Sequence, residues 1–371
     1  MNTAIVKTFN ILFVDDDTTQ TKMYLDVIDS VKDSFPTIEI KTTCESTFER
    51  GKDALYKSDF DAAVIDLKLS SNGIEGNKII REIRDNLRFP VVVYSGFPQD
   101  LDPDLAQNNC FFKVYKRTDV PFSSILTDLI NLFNTGITNI FGQKGLINES
   151  INKIFWDHIA TAADYWVESC TSSACNMEKI VLRFAMSHLQ EYLELDEDGK
   201  FETYDNSEVY IIPPIKTSFF TGDILKAKSD GKNFVILTPS CDFAQVKAGQ
   251  VAIAEIERID MDLVKIAKSK LKSSDETKNT QGENILKSLV RNNSSIRYHF
   301  LPPFLTFEGG FINFQKIYSI EYDKLSAEYT RFASISDRFI KDIISHFSHY
   351  YARQGQPDLN FDRLYDMMLK L

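Results

Sequence analysis

Ile11-Leu12-Phe13-Val14-Asp15-Asp16-Asp17 decides the fold. It is an apolar run of strand length that stops on three acids. Like charges crowded at a strand end are costly unless a cation binds among them, and carboxylate oxygens suit a hard divalent metal. A second run, Ala62-Ala63-Val64-Ile65, ends on Asp66. Two parallel strands that both end in acids bring those acids to the carboxyl edge of one sheet, where open α/β folds build their sites.

Outward from these strands the pattern alternates. Thr19 to Val31 carries Met23, Val27, Ile28 and Val31 at helical spacing. Ile38 to Thr42 alternates as a half-buried strand, and Thr47 to Tyr56 is helical. Asn77 to Leu87 sets Ile79, Ile80 and Ile83 on one face. Pro90 to Tyr94 and Phe111 to Tyr115 are strands, and Val120 to Phe133 is a closing helix. With a weaker helical segment near Asp102 to Asn108, this makes five strands and five helices, a parallel sheet covered on both faces.

This N-terminal third resembles the receiver domain of two-component response regulators, a flavodoxin-like (βα)5 fold. The family's acid pair after the first strand is matched by Asp15 and Asp16, and its phosphoacceptor at the third strand's end by Asp66. The Ser or Thr ending the fourth strand is matched by Ser95, the Lys ending the fifth by Lys116, and the glycine after the acceptor loop by Gly76. The resemblance implies that Asp15, Asp16 and Asp66 hold Mg2+ while Asp66 accepts a phosphoryl group, giving an aspartyl phosphate. It implies that Lys116 pairs with a phosphoryl oxygen, that Ser95 donates its hydroxyl, and that a sensor histidine kinase is the donor. Three positions depart from the pattern. Arg117 stands where a proline is usual, Lys113 where an aromatic switch residue is common, and the loop after Asp66 lacks its proline. Taken singly, the same residues have plainer readings: a helix N-cap cluster with Asp17 as the cap, a turn aspartate, a surface lysine.

At 371 residues the chain has room for two or three domains. Its 43% hydrophobic and 26% charged residues are ordinary for a soluble protein, and a net charge of −11 argues against a chain built around nucleic-acid phosphates. No apolar run reaches bilayer-spanning length and the N-terminus lacks a signal-peptide core, so the expected location is cytoplasmic. Five scattered cysteines fit reduced thiols. Cys170 and Cys175, with His158 and His188 nearby, do not have zinc-ligand spacing and read as ordinary helix residues.

Thr135-Gly136 to Gly145 ends the first domain, giving expected domains of 1–136, 137–200 and 201–371. The middle segment holds two amphipathic helices, Asn148 to Ser169 and Met177 to Leu195. They form either a connecting hairpin packed on its neighbours or a docking surface, with a homodimer through residues 148–195. Beyond Ser207, short strands separated by turns predict a C-terminal α+β domain with a small barrel. The polar stretch Lys268 to Asn293 interrupts it as a helical or mobile insertion, and Ala333 to Tyr351 reads as a helix. The stretch from Gly222 to Asp242 weakly resembles the opening hairpin of MazF/PemK-type SH3-like barrels, a group that includes RNA-cleaving toxins. Cys241-Asp242 with His299 offers a nucleophile and a base, against the plainer reading of a turn cysteine and a strand histidine. No basic helix-turn-helix pattern stands out. The expected function is a phosphorelay response regulator that signals to a protein partner, with no membrane or nucleic-acid contact. The alternatives are an effector enzyme gated by the receiver and a degenerate receiver used as a docking platform.

Overall fold

Strand alternation sorts the N-terminal side chains into two layers. In this computed structural model, residues 6–69, 73, 75–142, 145–172, 176–194, 198–259, 262–293, 295–353 and 359–370 are described, with backbone only for 169–172. The chain divides into two units, 1–202 and 203–371.

In the first unit β1 (Lys7–Val14), β2 (Ile38–Glu45), β3 (Ala62–Ile65), β4 (Val91–Ser95) and β5 (Phe112–Lys116) form one sheet of order β2-β1-β3-β4-β5. Every ladder is parallel. Four helices accompany it: α1 (Thr18–Val31), α2 (Phe48–Lys57), α3 (Gly76–Asn86) and α4 (Phe122–Asn134). Phe9, Ile11, Phe13, Ala62, Val64, Val92 and Tyr94 face one way and pack with Tyr24 and Ile28 of α1 and Ile125, Leu126 and Leu129 of α4. The intervening Leu12, Val14, Ala63, Ile65, Val91 and Val93 face the other way, onto Leu55 of α2 and Ile79, Ile80 and Ile83 of α3. This is the period of two that a sheet buried on both faces requires.

The fourth crossover departs from the expected (βα)5 pattern. Residues 102–108 carry no helix, only a turn at 103–105, and are preceded by a single 3-10 turn, Pro98–Asp100. The segment has Pro103 and two aspartates but almost no apolar stripe; Leu105 alone is deeply buried. Polar contacts to α3 hold it instead. Arg81 pairs with Asp102 at 2.8 Å and Asp104 at 2.6 Å, Arg84 donates to the Asp104 carbonyl, and buried Asn77 bonds the backbone of Asp100 and Asp102.

The first unit continues through α5 (Ile137–Phe141), α6 (Leu146–Ile154), a π-helical turn (Phe155–Ile159), α7 (Ala160–Ser172) and α8 (Met177–Tyr192). The helix that starts at Leu146 runs on through the π-helical turn to Ser172, and α8 packs back against it, Phe184 on Trp166 and Tyr192 on His158. Trp156, Leu182, Met186 and Leu193 stay exposed on these helices. Leu195, Cys175 and the Cys170 side chain lie outside the described residues.

The second unit is a seven-stranded antiparallel sheet of order β10-β11-β9-β8-β7-β12-β6. Its strands are β6 (Tyr210–Ile211), β7 (Asp223–Ala227), β8 (Asn233–Ile236), β9 (Gln250–Glu257), β10 (Tyr298–Leu301), β11 (Gly310–Glu321) and β12 (Tyr329–Ile335). Its helices are α9 (Ser240–Ala244), α10 (Asp262–Leu271), α11 (Glu276–Val290), α12 (Leu325–Glu328), α13 (Asp337–Ala352) and α14 (Phe361–Met368). Register shifts in β11 between Ile312 and Ile317, and in β12 between Arg331 and Ala333, curl the sheet. Among the described residues no ladder joins edge strands β10 and β6; the strands form a curled antiparallel sheet, which does not confirm the expected SH3-like barrel. The polar insertion expected from Lys268 onward is mostly helix: it runs from the end of α10 through α11. Leu289 and Val264 pack those two helices onto Phe311 of β11.

Candidate phosphoacceptor pocket

Strand parity carries two acids and a guanidinium to one point. Phe13, Val64 and Tyr115 all face α1 and α4, and two residues further along each strand stand Asp15, Asp66 and Arg117. Asp15 is 4% exposed and Asp66 8%. Arg117 Nη2 lies 2.5 Å from Asp15 Oδ2 and 3.1 Å from Asp66 Oδ2. The guanidinium is itself oriented, donating from Nε to the Tyr94 carbonyl at 3.2 Å, while its backbone N–H donates to the Ser95 carbonyl.

The remaining oxygens are also engaged. Asp15 Oδ1 accepts the Asp17 N–H at 3.0 Å and Asp15 Oδ2 accepts the Tyr24 hydroxyl at 2.8 Å. Asp66 Oδ1 accepts the Leu67 N–H at 2.8 Å. Burial pushes the Asp15 carboxyl up, while Arg117, Tyr24 and the Asp17 N–H pull it back. Burial also opposes the Arg117 charge, but Asp15, Tyr24 and Asp66 hold it above its ordinary range. Burial and then the Asp15 carboxylate push the Tyr24 hydroxyl well up, so it remains a donor. Behind the pocket Tyr24, Tyr94 and Phe122 form an aromatic cluster, with the Tyr24 and Phe122 ring centres 4.6 Å apart.

The sequence-predicted residues fall into two groups. Asp15, exposed Asp16 and Asp66 come together, with one carboxylate oxygen of each within 4.8 Å of the others. Three hard oxygen donors suit Mg2+, and the set fits that ion provided Arg117 releases Asp15 Oδ2. Asp17 caps α1 through the N–H groups of Thr19 and Gln20. Ser95 is wholly buried, and its Oγ accepts the Phe97 N–H at 3.2 Å rather than reaching the acids. Lys116 is exposed and forms no ion pair among the described residues. It follows Val114 on the face toward α2 and α3, whereas Arg117 follows Tyr115 on the face of the acids. A shift of one residue changes sides in a strand, which is why the cation found in the pocket is Arg117. Tyr24, nine residues beyond Asp15, carries no sequence signal beyond its apolar helix position. Lys113, at the position of the expected aromatic switch, pairs with Asp128 of α4 at 3.5 Å.

Two loop features brace Asp66. A Cβ on Gly76 would lie 2.2 Å from the Asp66 carbonyl oxygen and 2.7 Å from Leu67 Cα, so only glycine admits this approach of α3 to the turn after β3. Lys68, two residues after Asp66, pairs with Asp100 at 3.1 Å and lies over the Phe97 ring, tying the turn after β3 to the one after β4.

The second unit does not assemble the expected nucleophile and base. Exposed Cys241 has Asp242 as its partner, while buried His299 meets Asn292 and His346. A cleft of this unit, about 1190 Å3, is walled by residues including Lys232, Glu255, Glu257, Arg297 and Lys316. Its charges compensate one another: Lys316 reaches Glu255 at 2.9 Å and Glu257 at 3.0 Å.

No protein-family model and no curated protein matches the chain. Solved structures match its N-terminal third. A CheY-like response regulator receiver domain from Methylobacillus flagellatus is 18% identical, with a TM-score of 0.26, over 33% of this chain and 99% of that one. The response regulator TrrA from Thermotoga maritima, solved with Mg2+ and beryllofluoride, is 17% identical with a TM-score of 0.25, over 33% and 98%. The receiver domain of a sensor histidine kinase from Pseudomonas aeruginosa, with magnesium in its active-site cleft, is 13% identical with a TM-score of 0.26, over 33% and 96%. The sheet order β2-β1-β3-β4-β5 is that of flavodoxin and CheY-like proteins, so the N-terminal domain has the flavodoxin-like fold. None of these matched structures supports the MazF/PemK-type resemblance of the C-terminal region.

Proposed function

We propose that the chain is a two-component response regulator whose Asp66 accepts a phosphoryl group from a sensor histidine kinase. The observation that carries this reading is the convergence of Asp15, Asp16 and Asp66 at the carboxyl edge of the parallel sheet, with one oxygen of each within 4.8 Å. Mg2+ bound by these three residues would neutralise their charge and that of the incoming phosphoryl group. Asp66 attacks the phosphorus with Oδ2, the oxygen not held by the Leu67 N–H. The P–O bond to aspartate forms as the bond to the donor's histidine nitrogen breaks, and the nitrogen keeps the electron pair. Arg117 stands within reach of the new oxygens and takes the point-charge role expected of Lys116, with the added capacity for a bidentate contact. Ser95 reaches the phosphoryl group only if its loop moves, which is the switching motion the reading requires.

Arg117 also favours a second reading. A guanidinium already paired with both buried acids stabilises a metal-free, unphosphorylated pocket, as a docking platform would have. Output through residues 201–371 to a protein partner, and self-association through 148–195, complete the proposal; exposed Trp156 and Leu182 on the helices support the latter.

The deciding experiment incubates the full chain with a small phosphodonor and Mg2+. An acid-stable, base-labile label is expected in the natural chain and absent in Asp66→Asn. No label, or label retained by Asp66→Asn, overturns the phosphoacceptor reading and leaves the platform.

A further inference from the structure

A histidine on the core face of a strand calls for an explanation. His299 of β10 is 6% exposed and shares its face with Leu301, which packs with Ile340 and Ile343 of α13. Opposite it, α13 presents Asp342 and His346, four residues apart and therefore on one helix face. His299 Nδ1 lies 3.1 Å from His346 Nδ1 and 3.8 Å from Asp342 Oδ2. One ligand atom from each of the three lies within 4.8 Å of the others. Two imidazole nitrogens that face each other so closely need a proton or a cation between their lone pairs.

The geometry points to a divalent transition-metal site, of the Zn2+ class, formed by His299, His346 and Asp342. Tetrahedral zinc with nitrogen ligands at about 2.0–2.1 Å sets its ligand atoms about 3.3 Å apart, and the two observed separations straddle that spacing. Two imidazoles and one carboxylate are the donor set of three-ligand zinc sites, whose fourth position takes water. Here Asp342, 61% exposed, opens the site to solvent. Burial pushes the His299 imidazole down to about 4, so it is neutral, the form that ligates. The metal ties β10 to α13 across the core of the second unit.

Asn292 distinguishes the metal-free from the metal-bound state. Its Oδ1 accepts the Phe300 N–H, and its Nδ2 lies 3.3 Å from His299 Nε2. Without metal, the amide donates to Nε2 and the His299 proton sits on Nδ1, toward His346. Metal at Nδ1 displaces that proton; Nε2 becomes the donor and needs an acceptor at position 292. Asn292→Asp supplies one oxygen to each N–H, creating a carboxylate–histidine–metal triad.

The test titrates the full chain with Zn2+ under excess Mg2+, which occupies the oxygen-only acid pocket, and repeats it with Co2+ to read the visible bands of tetrahedral coordination. One Zn2+ per chain is expected at this site. Affinity should fall at least about 100-fold in Asp342→Ala and His346→Ala, stay unchanged in His188→Ala, and rise about 10-fold in Asn292→Asp. Asp342 is on the surface, so its variant tests the site even if His346→Ala folds poorly. Zn2+ binding of equal strength in the natural chain and Asp342→Ala, or no saturable binding, overturns the site. Weaker binding in Asn292→Asp overturns the assignment of Nδ1 as the ligand.

Discussion

Arg117 occupies the point where three charges must be reconciled. Its side chain is 17% exposed, against 2% for Asp15 and 9% for Asp66. Removing one partner of a buried ion pair leaves the other uncompensated and costs about 3–5 kcal/mol. Arg117→Ala is therefore expected to destabilise the metal-free N-terminal domain by that amount. Mg2+ then supplies the missing positive charge, so it should restore more stability to the variant than it adds to the natural chain. Thermal unfolding with and without Mg2+ reads this directly, and a variant as stable as the natural chain in the metal-free state would remove Arg117 from the pocket's charge balance. The acids were legible in the sequence because each ends an apolar run. Arg117 appeared there only as a departure from a pattern, because the face it takes depends on where β5 stops alternating.

At the scale of elements, α3 and the turn after β3 are packed without clearance. Gly76→Ala would drive a methyl group into the Asp66 carbonyl and Leu67 Cα, and is expected to cost about 3 kcal/mol or more, at the upper end of overpacking. Gly96, after β4, has open space where a Cβ would stand, so Gly96→Ala should change stability by less than about 0.5 kcal/mol. Urea unfolding of the two variants separates them; equal losses would mean that the close approach at Gly76 is not what requires glycine. The five strands were readable because each apolar run was short and bounded by polar or turn residues. The fourth crossover has turns where the sequence pattern predicts a weak helix: its contacts to Asn77, Arg81 and Arg84 are long-range and polar, and periodicity does not register such contacts.

For the whole molecule, phosphorylation matters only if it favours one of two states. Beryllofluoride with Mg2+ would mimic the aspartyl phosphate proposed at Asp66. Its addition is expected to change amide hydrogen exchange in the described parts of residues 137–194, which continue directly from α4, and to leave Asp66→Asn unaffected. Identical exchange with and without the ligand in the natural chain would sink the switch and favour the platform. No described helix is long and apolar enough to cross a membrane. By itself the sequence determined the parallel α/β sheet and the three acids at its edge, because burial on two faces and termination on a charge are local properties of each strand. Tertiary structure alone decided that Arg117 rather than Lys116 enters the pocket, that the C-terminal strands form a curled antiparallel sheet, and that His299 meets Asp342 and His346. Each of those outcomes depends on which side chains face one another across elements far apart in the chain, and side-chain direction at a strand end or bulge is fixed only when the neighbouring elements are in place.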